Sequence, residues 1–329
     1  MSDNINLETH IGNIKLKNPF INASGCWCYD SNELDQLMCS DSGSFITKTI
    51  TLNPRTGNSK PRYYDNTYLS INSMGLPNMG FNYYNDYNLS RQKSILYKSK
   101  PFFMSISTMN FTDTNNMLLQ LQNNSFNGIS GIEFNISCPN IEGKGQLGYD
   151  HEQLDSFLTN LSEINLFDIS RNNLAIGLKM SPYFDKYQFE QISDIIKKYP
   201  RIDFLTCING IGRGLVVDFL NETSVIKPNN GLGGLGGSVV KPVGLSNTYQ
   251  FKQIFGDKID IVGCGGVSNA MDAFEYILSG ASCVSVGTQL MKSGPQLFTR
   301  LNQDLKNIMI SKKYVELNQF KNNLKINKN

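Results

Sequence analysis

Asn135 ends the apolar run 131–135, and Cys138 and Asn140 follow just past it. That run reads as a short buried strand, bounded by small and turn-forming residues. Gly143, Gly145 and Gly148 follow, spaced as a loop that can move. A buried strand that delivers an amide, a thiol and a second amide to a glycine-rich loop has the makings of an active-site edge. A thiol can act as a base near neutral pH, because its pKa of about 8.5 is tuned by its surroundings. A cysteine at a strand end is also a common packing residue, and this stretch alone leaves both readings open. The only histidines are His10 and His151, which argues against a His-based hydrolase and a zinc site. Proton transfer then falls to Cys, Lys or a carboxylate.

Two further apolar runs end in a lysine, Lys48 and Lys179. Such lysines either reach solvent, pair with a carboxylate or meet a ligand. Two of them at one end of a fold, beside Asn135 and Asn209, suggest an electron-rich ligand. Glycines gather late in the chain: the run 233–237 before Ser238, Gly265-Gly266 after Cys264, and Gly287 before Thr288. Glycine lets backbone N–H groups approach a ligand closely. Clusters after the last two strands of an α/β barrel are a phosphate-binding pattern. A Walker-type P-loop is absent. The segment 70–80, with Asn72, Met74, Gly75 and Leu76, is either a polar recognition loop or an ordinary surface turn. Its residues alone do not choose.

These groups need a frame. Eight strand-like segments recur, at 20–23, 45–48, 102–106, 131–135, 174–179, 204–208, 260–263 and 283–286. Amphipathic helical patterns fall between them. These are 32–39, 113–122 with Thr112 as N-cap, 151–161 after Asp150, 184–198, and 269–278 with Ser268 as N-cap and Gly280 as C-cap. On 184–198 the apolar positions are Phe184, Tyr187, Phe189, Ile192, Ile195 and Ile196. The alternation predicts an α/β fold, a (β/α)8 TIM barrel over residues 1–329 as one catalytic domain. A doubly wound open sheet would accept the same alternation. Eight strands with polar residues at their ends favour the barrel. Segments 7–10 and 14–16 around Gly12-Asn13 predict an N-terminal β-hairpin that caps one end. The intervals 49–89 and 209–244 are too long for plain connections and are expected to lie over the C-terminal face.

A chain of 329 residues with 40% hydrophobic residues can bury a large core. Its net charge of +2 is spread in both signs, so neither nucleic acid nor a membrane surface is an expected partner. Seven cysteines, several in predicted buried strands, fit a reducing compartment. The N-terminus carries no signal-like apolar stretch, and no run is long enough to span a bilayer. The expected location is the cytoplasm. Asparagine runs such as Asn123-Asn124 and Asn229-Asn230 read as compositional bias.

The motif Asn135-Ile136-Ser137-Cys138-Pro139-Asn140 resembles the catalytic loop of dihydroorotate dehydrogenases that use a cysteine base. The resemblance runs nearly the whole chain, in family order. It includes 22–25, Thr47-Lys48-Thr49, the Ile71–Asn78 stretch, 177–179, 226–228 and 263–266. The Asn-Ser-Met-Gly-Leu-Pro-Asn loop points to class 1A, soluble homodimers that use fumarate. Membrane-associated relatives carry serine at the base position and a long N-terminal extension. The resemblance implies FMN in the barrel mouth. Matching positions are Ala23, Ser24, Gly25, Lys48, Thr49, Asn135 and Lys179, then Ile208, Gly237, Ser238, Cys264, Gly265, Gly266, Gly287 and Thr288. It implies dihydroorotate contacts at Lys48, Asn72, Met74, Gly75, Leu76, Asn135, Asn140, Asn209 and Gly210. Two positions depart from the family pattern. Gly210 stands where serine is usual, and Arg213 where asparagine is usual.

The implied reaction is oxidation of dihydroorotate to orotate, in pyrimidine biosynthesis, with fumarate as terminal acceptor. Cys138 would take the proton, and Lys179 would stabilise negative charge on the reduced flavin. The amides can read a ring that alternates N–H and C=O groups. Lys48 would offset the carboxylate, and 141–148 would form a lid. Two rivals stand beside this reading. One is an NAD-linked dihydroorotate dehydrogenase with an iron–sulfur partner. The other is a non-catalytic barrel that binds a phosphate or nucleotide.

Overall fold

A computed structural model describes residues 5–93, 100–138, 145–164 and 174–327. Eight parallel strands form one sheet: β1 Phe20–Asn22, β2 Phe45–Ile46, β3 Phe102–Ser107, β4 Gly131–Asn135, β5 Ala175–Lys179, β6 Phe204–Cys207, β7 Asp260–Cys264 and β8 Cys283–Val286. Their order is β1-β8-β7-β6-β5-β4-β3-β2, so the first strand pairs with the last and the expected barrel is what forms. The strands are short and almost wholly buried, as apolar strands in a ring of helices must be. The seam between β1 and β2 lacks a backbone ladder. There the Asn22 side chain donates to the Ile46 carbonyl at 2.9 Å and accepts from the Ile46 N–H at 2.8 Å.

The hairpin forms as Thr9–Ile11 and Ile14–Leu16. Its buried Ile11 and Leu16 pack with Ile21, Ile46, Phe103, Phe204 and Val262 at the N-terminal end of the barrel. Phe103 and Phe204 meet edge to face, their centroids 5.9 Å apart. Gly177 leaves room for the second ring, since a Cβ there would lie 2.4 Å from it. Gly12 N–H donates to Asp260 at 2.9 Å and ties the hairpin to β7. The second, larger core lies between the barrel and its helices.

Helix Ser31–Cys39 is capped by Asp30, and helix His151–Glu163 by Asp150 as expected. Elsewhere the cap moves. Asn110, not Thr112, caps Phe111–Asn123, and Asn269, not Ser268, caps Ala270–Leu278 with a reciprocal bond to Asp272. Gly280 follows that last helix at φ +112. The predicted helix 184–198 is Lys186–Ile196, capped by Asp185. Phe184 and Tyr187 are exposed, and its core face is Phe189, Ile192, Ile195 and Ile196.

The two long intervals are not loops. They carry helix Phe81–Arg91, strands Tyr63–Asp65 and Ser70–Asn72, and strands Ile211–Leu215 and Leu232–Gly236. These four strands make one antiparallel sheet, in which Asn72 pairs with Gly234. It lies across the C-terminal mouth, because it delivers Asn72 and Leu235 to the same cleft as the ends of β5 and β7. Helices Lys241–Phe255 and Leu297–Ser311 complete the ring.

Candidate active site

Two clefts, of about 870 and 1130 Å³ with their open mouths included, meet over the C-terminal ends of the strands. Ser24, Cys26, Asn72, Lys179 and Asn209 line both. Of the sequence-predicted site residues within the described segments, each lines one cleft or both. Asn140 and the first part of the expected lid lie outside the described residues.

One cleft is a glycine cradle. Ala23, Ile208, Gly237, Ser238, Cys264, Gly265, Gly266, Gly287 and Thr288 surround it. Gly266 has φ +69, and a Cβ there would lie 2.9 Å from the Lys241 nitrogen and 3.0 Å from the Gly237 carbonyl oxygen. Only glycine fits that turn without strain. The N–H groups of Gly265, Gly266 and Gly287 have no hydrogen-bond acceptor among the described residues. Thr288 and Ser70 hydroxyls meet at 2.9 Å, joining the cradle to the overlying sheet. Ser238 points its hydroxyl to the Tyr68 carbonyl at 2.8 Å.

The other cleft is lined by Gly25, Lys48, Thr49, Met74, Gly75, Leu76, Asn135 and Cys138. Neighbouring strand ends bring these groups together, since Asn135 and Lys179 lie in register on β4 and β5. Asn135 donates to the Thr49 hydroxyl at 3.1 Å, and Thr49 meets Ser24 at 3.2 Å. Asn209 donates to the Ser137 hydroxyl at 2.9 Å and carbonyl at 3.1 Å. Its own oxygen accepts from the Gly210 N–H at 2.8 Å. A hydrogen-bonded floor therefore holds the amides rigidly. Cys138 is half-buried, between this cleft and a polar cavity lined by Ser107, Thr108, Gln146 and Asp150.

Two buried cations face the clefts. Lys48 has no carboxylate in ion-pair range and no hydrogen-bond acceptor for its ammonium among the described residues. Lys179 donates to the Cys264 sulfur at 3.3 Å. Burial works against its charge, but Cys264 and Glu133 outweigh it and hold the lysine protonated above the usual range. The Cys26 thiol is pushed up to about 11 by burial, although Lys48 pulls it down. It is a neutral thiol in the cleft wall.

Sequence reasoning missed Cys26, Tyr68, Lys292 and Glu133, all of which line the clefts. Glu133 was legible, being two residues before Asn135 on a strand and so on the same face. At Gly210 a Cβ would sit 3.0 Å from the Leu235 carbonyl oxygen. The missing side chain thus goes with close approach of the overlying sheet. Arg213 is exposed at φ +60, and its side chain lines neither cleft.

Comparison with known proteins agrees. Residues 6–309 match the family model described as dihydroorotate dehydrogenase. A Streptococcus agalactiae protein named putative dihydroorotate dehydrogenase A (fumarate) is 44% identical, over 97% of this chain and 99% of its own. An Enterococcus faecalis protein named probable dihydroorotate dehydrogenase A (fumarate) is 42% identical, over 94% of this chain and 96% of its own. The crystal structure of the Eimeria tenella enzyme DHODH with ferulenol superposes with a TM-score of 0.78 at 20% identity, covering 96% of this chain and 88% of that one. That likeness speaks for the fold. With a family model over nearly its full length and relatives above 40% identity, the chain belongs to the dihydroorotate dehydrogenase family.

Proposed function

We propose that this protein oxidises dihydroorotate to orotate, with FMN as its cofactor and fumarate as terminal acceptor, in pyrimidine biosynthesis. One observation carries the reading. A cysteine, two buried lysines and a set of fixed amides converge on a cleft that runs into a glycine cradle. The cradle suits a phosphate, because its unpaired N–H groups and tight glycine turns let an anion approach the backbone. Lys179, charged and buried between the clefts, suits the electron-rich end of a flavin ring.

Bound FMN would supply the hydride acceptor. The chain's own residues do the rest. Asn72, Asn135 and Asn209 offer donors and acceptors to the substrate ring, and their bonds to the Gly234 carbonyl, the Thr49 hydroxyl and the Ser137 hydroxyl fix them before it arrives. Lys48 places an ammonium where a carboxylate can neutralise it. Cys138 removes the proton from carbon and can return it when fumarate takes the substrate's place. One site serving both substrates gives ping-pong kinetics. A single chain type, active as a cytoplasmic homodimer, suffices for this cycle.

The test is anaerobic. Purified protein should carry one FMN per chain, lose its flavin colour on adding dihydroorotate and regain it with fumarate. Recovery only with NAD and a cluster-containing second protein would overturn the choice of acceptor. FAD, or no flavin, would overturn the cofactor.

A further inference from the structure

Glu133 is a carboxylic acid inside the barrel, 4% exposed, beneath the cleft that holds Asn135 and Cys138. One of its oxygens accepts from the Thr206 hydroxyl at 2.6 Å. The other is buried with no hydrogen-bond partner among the described residues. A carboxylate in such a place is costly to charge unless a positive charge offsets it. The cation placed to do so is Lys179, which lines the same cleft from the neighbouring strand β5. The two make no direct ion pair within 4 Å, because the ammonium is turned to Cys264. Glu133 therefore acts on Lys179 through its field and leaves the ammonium's remaining protons to face the cleft.

Resting on the FMN reading above, we propose that Glu133 is a positioning residue that sets the reduction potential of the bound flavin, by partly offsetting the charge of Lys179 beside it. The charge balance has a definite sign. Reduction adds negative charge to the flavin. A carboxylate below Lys179 opposes that added charge, so Glu133 holds the potential below what Lys179 alone would give. Such a setting suits one site that must accept electrons from one substrate and pass them to another. A Lys179 with no counter-charge would favour the first half of the cycle at the expense of the second. Thr206 belongs to the device, since its hydroxyl donates to the acid and holds it in place.

The experiment is a spectroelectrochemical titration of the FMN-loaded protein without substrates, for wild type, Glu133→Gln and Glu133→Asp. Glu133→Gln should raise the midpoint so that reduction is favoured by about tenfold in equilibrium constant, ~30 mV for a two-electron couple. Glu133→Asp keeps the charge and should stay near wild type. Stopped-flow measurement should show faster flavin bleaching by dihydroorotate and slower recovery with fumarate in Glu133→Gln. An unchanged midpoint in Glu133→Gln overturns the proposal, as does an equal shift in Glu133→Asp, which would mark a packing effect. If Glu133→Gln does not fold, Thr206→Val is read in its place, with the same sign and a smaller shift. No shift there overturns the proposal too. Wild-type protein that releases no FMN on denaturation would instead overturn the cofactor reading, so the two failures are distinct.

Discussion

The side chain of Asn22 closes the barrel by bonding both the N–H and the carbonyl of Ile46. It takes the part of a strand rung between β1 and β2, and its amide also donates to the Cys26 carbonyl at 3.1 Å. Asn22 is fully buried, so Asn22→Leu leaves backbone groups unpaired in an apolar setting. The expected loss is about 2–4 kcal/mol, since each orphaned buried group costs about 1–3 kcal/mol. Urea unfolding checks it. The cofactor should also be held less tightly, because Ala23 and Ser24 follow Asn22 directly.

Cys138→Ala should keep FMN and bind orotate, yet lose about 10²–10⁴-fold in flavin reduction by dihydroorotate. Cys138→Ser should retain part of the rate, displaced to higher pH. Stopped-flow measurement across pH decides it, and equal rates in wild type and Cys138→Ala would return this cysteine to a packing role. Cys39, exposed and away from both clefts, should tolerate the same change.

Gly266→Ala forces a left-handed backbone on a residue with a Cβ, at about 1–2 kcal/mol, and presses that Cβ on Lys241 and Gly237. The turn should open. FMN affinity, read by fluorescence titration of the apoprotein, is expected to fall more than tenfold while the fold persists. Unchanged affinity would place the phosphate elsewhere.

Lys100 supplies a pH dependence. Its ammonium is buried and donates to the carbonyls of Leu37 and Ser40 at 2.8 and 2.5 Å, capping helix Ser31–Cys39 from outside. Burial first, then Lys17, lowers its pKa to about 7, against the smaller opposing pull of Asp41. Between about pH 7 and its unfolded value near 10.4 the unfolded chain binds the extra proton, so Lys100 contributes stability that rises with pH across that window. Below pH 7 both states carry the proton and the contribution is flat. Thermal melts of wild type against Lys100→Met from pH 6.5 to 8.5 isolate it. The gap should change in favour of wild type as pH rises, and a constant gap would refute the assignment. Stopping at pH 8.5 avoids Cys26 and Cys28, whose burial-raised pKa values act in the opposite direction.

How much of this was legible in the sequence follows from range. The eight strands could be read because each is a local apolar run, and Lys48, Asn135 and Lys179 because they end such runs. The glycine clusters showed where backbone must come close. The pairing of Asn72 with Gly234 could not be read, since no local period encodes the register of two distant segments. Caps slipped at Thr112 and Ser268 because Asn110 and Asn269 offer the same chemistry, and backbone angles alone decide among them. Helix Lys241–Phe255 hid behind Pro242 and Gly244, which look like loop residues until Pro is placed at the first turn.

The pairing of β1 with β8 also bears on how the molecule is made. Phe20 leaves the ribosome long before its partner Val284. Until Val284 emerges the first strand offers a bare edge on that side, where misassembly can begin. The cradle is completed by the same late segment, because Gly287 and Thr288 follow β8. On the proposed reading, a chain that has not yet made β8 has no complete cradle to hold a cofactor as a folding template. Uptake then follows closure, and the colour of a bound flavin reports that β8 has joined β1.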